Sequence, residues 1–202
     1  PMRKWTEPPI IWYCSTTFEL FSEGPWLHFL KFLVLADESI LNTPTRHVDH
    51  VDWIKTGSMP KHLQLTNGTT ITIKSYEQGP GEFQAARLSM AVIDEECPTL
   101  VWKEVQNRFL AAQNPRIMVA ATPVKSIEWL ADLRVLAEQR KGGVAHYRLR
   151  TKDNPGVNQE YIASQEERYR DDQDELKLRL EGIPFHRTGL IYPDGVFKPQ
   201  HV

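Results

Sequence analysis

Two cysteines in 202 residues, Cys14 and Cys97, exclude a disulfide scaffold. They also lack any spacing that would hold zinc, so both read as buried thiols. No apolar run approaches the roughly 18 residues that would suggest a membrane span, and no basic start followed by an apolar core marks a signal peptide. Charge of one sign is missing too. Twenty-four Lys and Arg oppose 26 Asp and Glu, a net −2, so any contact with nucleic acid must come from a local patch. A Gly-Lys pair occurs nowhere, which removes the phosphate-cradling loop G-x-x-x-x-G-K-[ST] from these residues. The chain opens Pro1-Met2 and stops at His201-Val202 without a helix stop, the expectation for a segment of a longer polypeptide.

What is present is an apolar run that ends in acids, Leu88-Ser-Met-Ala-Val-Ile93-Asp94-Glu95-Glu96. Strands buried on both faces of a parallel sheet read as continuous apolar runs, and the chemistry of an open α/β sheet lies past their carboxyl ends. One acid there can hold a Mg²⁺-bound water and the next can orient a water against a nucleotide phosphate, the Walker B pattern. A core strand followed by solvated acids is the plainer alternative.

Around this run the chain alternates strands and helices. Ile10–Cys14 reads as a buried strand, with Ser15-Thr16-Thr17 as candidate helix caps. Gly24 to about Ala36 is apolar nearly all round and reads as a buried helix. Residues 37–61 read as an irregular excursion. His47, Asp49, His50 and Asp52 lie there without a third ligand cluster at a fixed spacing. Leu63 to Ile73 alternates about Asn67-Gly68, the signature of a hairpin with a two-residue turn. Gln78–Arg87 reads as a flexible connection. Pro98 opens a helix to about Ala112, with Val101, Val105 and Phe109 on one stripe and Trp102 beside it. Arg116–Ala121 reads as a second buried strand ending at Thr122-Pro123. A helix capped by Ser126 runs to about Arg140 and stops at Gly142-Gly143, and Val144–Leu149 reads as a further strand. Asn158–Glu181 reads as one acidic, solvated helix, with eight acids against four bases, and Gly182–Val202 as an extended linker. Such alternation implies βαβ crossovers, a mostly parallel sheet flanked by helices, and a β-hairpin insertion. One crossover joins the Asp94 strand to the Thr122 strand, so both carboxyl ends are expected on one rim.

Taken in order, these pieces resemble the large subunit of tailed-phage terminase, the DNA-packaging motor. Ile11–Glu19 resembles the strand and turn after the phosphate-loop helix. Asn67–Ile71 resembles the hairpin before Walker B. Ser75-Tyr76-Glu77-Gln78-Gly79 and Phe83-Gln84-Ala85 resemble the approach to that strand. Ile93–Pro98 resembles the acidic motif, Ala121–Lys125 the coupling motif, with Trp129 where an aromatic is usual. Asp153-Asn154-Pro155, Arg179–Gly182 and Gly189–Pro193 resemble the stretch leading toward the nuclease domain.

The resemblance implies a P-loop NTPase-like fold of the ASCE/RecA type. It divides the chain into a partial ATPase core over 1–156 and a helical segment with linker over 157–202. ATP and Mg²⁺ are the implied cofactors, with Asp94 on the metal, Glu95 positioning water, and Thr122 coupling hydrolysis to motion. Arg87 and Arg108 are candidates for an arginine given to a neighbour's phosphates, with a structural ion pair as the alternative for each. Gln84 is a candidate nucleotide or DNA contact, and Glu96 a supporting acid or a plain surface residue. The implied partners are double-stranded DNA, the portal protein, the small terminase subunit and further copies in a ring, in the host cytoplasm and with no membrane. Ala85 departs from the glycine usual after Phe-Gln. Two other readings stay open: a metal-dependent nuclease using Asp94, Glu95 and Glu96, and a non-catalytic remnant that docks partners.

Overall fold

The computed structural model describes residues 8–32, 48–53, 60–65, 68–84, 86–110, 112, 114–124 and 127–183, with only the backbone given for 30–32 and 48–53. His47, Ala85, Lys125, Ser126 and the linker from 184 onward lie outside the described residues, as do the side chains of Asp49, His50 and Asp52. The chain divides into two compact units, Pro1–Ala121 and Thr122–Val202.

The first unit is built on six strands. They are β1 (Ile10–Ser15), β2 (Val48–Trp53), β3 (Pro60–Leu65), β4 (Thr70–Ser75), β5 (Met90–Asp94) and β6 (Arg116–Ala120), in the sheet order β2-β3-β4-β1-β5-β6. From β4 to β6 every pair is parallel, whereas β2 and β3 add antiparallel. The mostly parallel α/β sheet with a hairpin is therefore the observed architecture.

Helices α1 (Phe18–Glu23) and α2 (Pro25–Phe32) follow β1, and α3 (Thr99–Asn107) joins β5 to β6. Thr17 caps α1 by accepting the Leu20 amide at 3.0 Å. Its side chain satisfies a donor that the first helical turn leaves without an intrahelical partner. Phe21 and Trp26 pack with Leu63, Leu65, Ile71 and Ile73, and Tyr13 and Phe29 join them at the edge. Within α2, however, Leu27 is exposed, so this helix is not buried all round. Val101, Trp102 and Val105 are buried along α3 as their helical spacing expects, whereas the helix stops at Asn107, short of Ala112, and Phe109 is buried in the turn that follows.

Four further expectations change in this unit. Residues 48–53 form a strand because β3 gives them an antiparallel partner, with Val51 opposite Leu63. The hairpin turn is longer than two residues. The Leu65 amide donates to the Thr69 carbonyl at 2.8 Å and the Gly68 amide to the Leu65 carbonyl at 2.8 Å. The loop thus closes between Leu65 and Thr69, and Gly68, at φ +87°, takes the left-handed place of a three-residue hairpin. A Cβ there would also stand 3.0 Å from Pro8 Cγ.

The connection before β5 is not loose: it folds into two 3₁₀ turns, Tyr76–Gln78 and Pro80–Phe83, and Phe83 is fully buried. Lys74 fastens the second turn. Its ammonium donates to the Glu82 carbonyl at 2.7 Å and lies over the rings of Trp12 and Phe83 at 5.3 and 5.9 Å. Last, β6 is exposed along most of its length rather than buried, because among the described residues only β5 pairs with it.

The second unit carries α4 (Glu128–Glu138), α5 (Gln159–Arg168), α6 (Gln173–Glu181) and a 3₁₀ turn at Thr151–Asp153. The expected single helix over 158–181 is two. Asn158 caps α5 through the Glu160 amide at 2.9 Å, and Asp172 caps α6 through the Glu175 amide at 3.1 Å. That second cap forces a helix start where the acidic pattern runs on unbroken. Gly182, at φ +61°, ends α6 by donating to the Leu178 carbonyl. Val144–Leu149 is no strand, and Tyr147 and Leu149 are exposed. Its alternation meets no ladder partner among the described residues, and an isolated strand leaves its backbone groups to water. No described helix is long and apolar enough to cross a membrane.

Candidate active site

Parallel register aligns the carboxyl ends of the central strands. Ser15 stands opposite Ser75, Cys14 opposite Ile93, and Asp94 opposite Ala120. Ser75, Ser15, Asp94 and Ala120 therefore share one rim of the sheet. That is the edge where open α/β folds assemble ligand sites.

Asp94 is half-buried on this rim. Ser15 Oγ donates to its Oδ2 at 3.4 Å, and the Tyr13 hydroxyl donates to the same carboxylate. Tyr13 is thus more than a core aromatic. Its ring packs edge-on against Phe21 and Phe29 at 5.1 and 5.5 Å, while its polar end reaches the acid. Burial raises the Asp94 carboxyl above its ordinary value of 3.8, with the Tyr13 and Ser15 hydrogen bonds opposing that rise. Burial and the Asp94 charge push the Tyr13 phenol well up, so it stays a donor.

Glu95 follows at φ +65°, the left-handed region, and its side chain is exposed. For a residue with a Cβ this conformation costs roughly 1–2 kcal/mol. Both halves of the preceding peptide are held. The Glu95 amide donates to the Ala120 carbonyl at 2.7 Å, and the Asp94 carbonyl accepts from the Tyr76 hydroxyl at 2.9 Å.

Glu96 is buried, so the surface reading of it does not hold. Cys14 and Cys97 are buried free thiols, as expected. Burial raises both, Cys97 to about 12.

Gln84 is exposed directly after the Pro80–Phe83 turn, and Arg87 is exposed before β5. Arg108 pairs with Glu104 at 3.7 Å and donates from Nε to the Glu104 carbonyl at 3.3 Å. Thr122 comes two residues after Ala120 and opens the second unit. Among the described residues no group of three or more His, Cys, Asp or Glu is placed to hold a metal ion.

Sequence reasoning assigned no site role to Tyr13, Ser15 or Tyr76. Tyr13 read as core, Ser15 as a cap, and Tyr76 entered only within a resembling stretch. The i, i+2 spacing of Tyr13 and Ser15 puts both on one sheet face, but nothing local says that Asp94 faces them.

Together these elements define a mixed α/β protein with a mostly parallel sheet, in which β5, between β1 and β6, ends in Asp-Glu on the carboxyl rim. The family model for the terminase large subunit, T4likevirus-type, N-terminal, matches residues 44–197, about three-quarters of the chain. The chain belongs to the terminase large subunit family, known for viral DNA packaging.

Solved structures agree in fold. Large terminase from a thermophilic bacteriophage, in crystal form 2, superposes with a TM-score of 0.63 at 13% identity, covering 88% of this chain and 41% of that one. The same phage protein in complex with ADP, in crystal form 3, gives 0.55 at 12% identity over 79% and 37%. A further crystal form 3 structure gives 0.54 at 14% identity over 88% and 40%. This chain therefore spans about two-fifths of the length of those terminases. No curated protein sequence matches it.

Proposed function

We propose that this segment is part of the ATPase motor of a terminase large subunit, which couples ATP hydrolysis to the movement of viral double-stranded DNA into a procapsid. The observation that carries the reading is the pair Asp94-Glu95 at the carboxyl rim of β5, inside a chain of this family. A relative of this fold bound to ADP supports nucleotide as the ligand class.

The donor set fits a hydrated Mg²⁺. Asp94 offers a carboxylate that two neighbouring hydroxyls orient without covering it fully, and Mg²⁺ is commonly held through one or two carboxylates plus phosphates and water. Bound there with ATP, the ion would supply charge neutralisation at the transferring phosphoryl group. Asp94 would hold the ion, and Glu95 would orient the attacking water from its exposed left-handed position. Thr122, next along the chain from β6, passes the phosphate state to the segment that follows.

Arg87 and Arg108 are both candidates for an arginine given to a neighbouring copy in the ring, although Arg108 also pairs with Glu104. Gln84, exposed directly after the Pro80–Phe83 turn, is a candidate contact to nucleotide or DNA. The phosphate loop would come from residues outside Pro1–Val202. Double-stranded DNA, the portal protein and the small terminase subunit are the partners of the assembled motor in the host cytoplasm. Endonuclease activity would belong to a further domain. The nuclease reading of Asp94-Glu95-Glu96 gains no support, because two-metal cleavage draws acids from several elements and Glu96 is buried.

The test is DNA-stimulated ATP hydrolysis by the large subunit that contains this segment. Glu95→Gln should lower kcat by roughly 100-fold or more, with ATP binding retained. Unchanged turnover would remove Glu95 from the chemistry and the motor reading with it.

A further inference from the structure

We propose that Tyr76 is a positioning residue for Glu95, clamping the Asp94–Glu95 peptide from the opposite side of β1. The inference rests on the ATPase reading above and adds a residue to that site.

Tyr76 belongs to the turn after β4, and β1 lies between β4 and β5. Two strand spacings, roughly 10 Å, separate the strand that carries the tyrosine from the strand that carries the acids. The buried side chain reaches over the end of β1 toward β5, and its hydroxyl ends 3.0 Å from the Cys14 carbonyl and 2.9 Å from the Asp94 carbonyl. A phenol has one proton to donate, so these two carbonyls share it. Burial pushes the phenol far above its ordinary value, so the proton stays on it.

The base of the tyrosine is equally fixed. Ser75 accepts the Glu77 amide at 3.2 Å, its own amide donates to Gln78 Oε1 at 3.0 Å, and its hydroxyl donates to the Thr16 carbonyl at 3.1 Å. This capping box holds the turn rigidly against the end of β1.

The consequence falls on one peptide unit. Its carbonyl is held by Tyr76 from the β4 side, and its amide is held by Ala120 from the β6 side. A left-handed non-glycine residue persists only where the surroundings over-determine it. With both ends of the preceding peptide pinned, that peptide cannot flip, and the flip is the local motion that would take Glu95 out of the left-handed region. Asp94 has its own hydroxyl partners for its carboxylate, so loss of the Tyr76 hydroxyl should act chiefly on Glu95.

Tyr76→Phe keeps the ring and deletes the clamp. In the large subunit, kcat for ATP should fall roughly 10- to 100-fold, with KM changed less than about twofold. In the nucleotide-free protein, amide exchange at Glu95 should quicken at least about fivefold, while the β1 amides keep wild-type protection. Val105→Ala, a core truncation on α3, should lower Tm yet leave kcat and Glu95 exchange unchanged. Equal kcat losses in Tyr76→Phe and Val105→Ala would make Tyr76 merely structural and overturn the inference. So would wild-type kcat and exchange in Tyr76→Phe beside a Glu95→Gln variant that has lost turnover. If Glu95→Gln keeps full turnover, the ATPase reading fails instead, and Glu95 exchange alone decides whether the clamp exists.

Discussion

The two units of this chain are held together by different physics. Up to Ala121 the structure depends on pairings between distant residues. Ser15 meets Asp94 across 79 positions and Tyr76 meets Cys14 across 62, and the strands bury Phe21, Leu63, Ile73, Phe83 and Ile93 between them. From Thr122 onward local contacts prevail. Side chains cap α5 and α6, Arg179 pairs with Glu175 and Arg170 with Glu167, and few hydrophobic residues are buried, among them Trp129, Ile162, Leu178 and Leu180. Exposed ion pairs of this kind contribute about 0–1 kcal/mol each. Cooperative stability should therefore reside in the first unit, where a single truncation opens a cavity, whereas the second should respond weakly to any one change.

The largest expected effect is that of Phe83→Ala. This ring is fully buried, faces Trp12 edge-on at 5.7 Å and lies under Lys74. Its loss should cost about 3–5 kcal/mol in denaturant unfolding. A cost below about 1 kcal/mol would place the core elsewhere.

An intermediate effect belongs to Asp172→Ala. Removing the cap of α6 should cost about 1 kcal/mol, read as helicity lost on mild heating. A loss as large as that of Phe83→Ala would erase the contrast between the units.

The smallest effect is alkaline. Cys14 and Cys97 both lie in the first unit, and burial raises both thiols above their ordinary 9.0, Cys97 to about 12. A raised folded pKa means that stability is complete below 9.0 and is lost as pH climbs through the native values. Thiol trapping below about pH 9 should then proceed only as fast as the first unit opens, and should quicken in Phe83→Ala but not in Asp172→Ala. Rapid labelling of the native protein at about pH 8 would contradict the burial of both groups.

Local pattern revealed much of this architecture. The apolar run into Asp94-Glu95, the Leu63–Ile73 hairpin and the Val101-Val105-Phe109 stripe all follow from periodicities of two or 3.6 that need no neighbour to be read. The misreadings occur where a neighbour decides. Residues 48–53 carry weak alternation and become a strand because β3 supplies a ladder, whereas Val144–Leu149 alternates well and has no strand partner among the described residues. β6 reads as buried by composition but is exposed, since burial belongs to the sheet and not to the strand. At the site, the acids were legible and their holders were not.

Sequence alone determined that a strand here ends in two carboxylates, because an apolar run followed by acids has the same meaning in any context that buries the run. Tertiary structure alone decided which groups hold those carboxylates. Tyr13, Ser15, Tyr76 and Ala120 come from three other strand ends, and only the parallel register brings them to Asp94 and Glu95. Hydrogen bonds between strand ends depend on which strands become neighbours. That choice is made by the whole core as it packs, and no local stretch of residues encodes it.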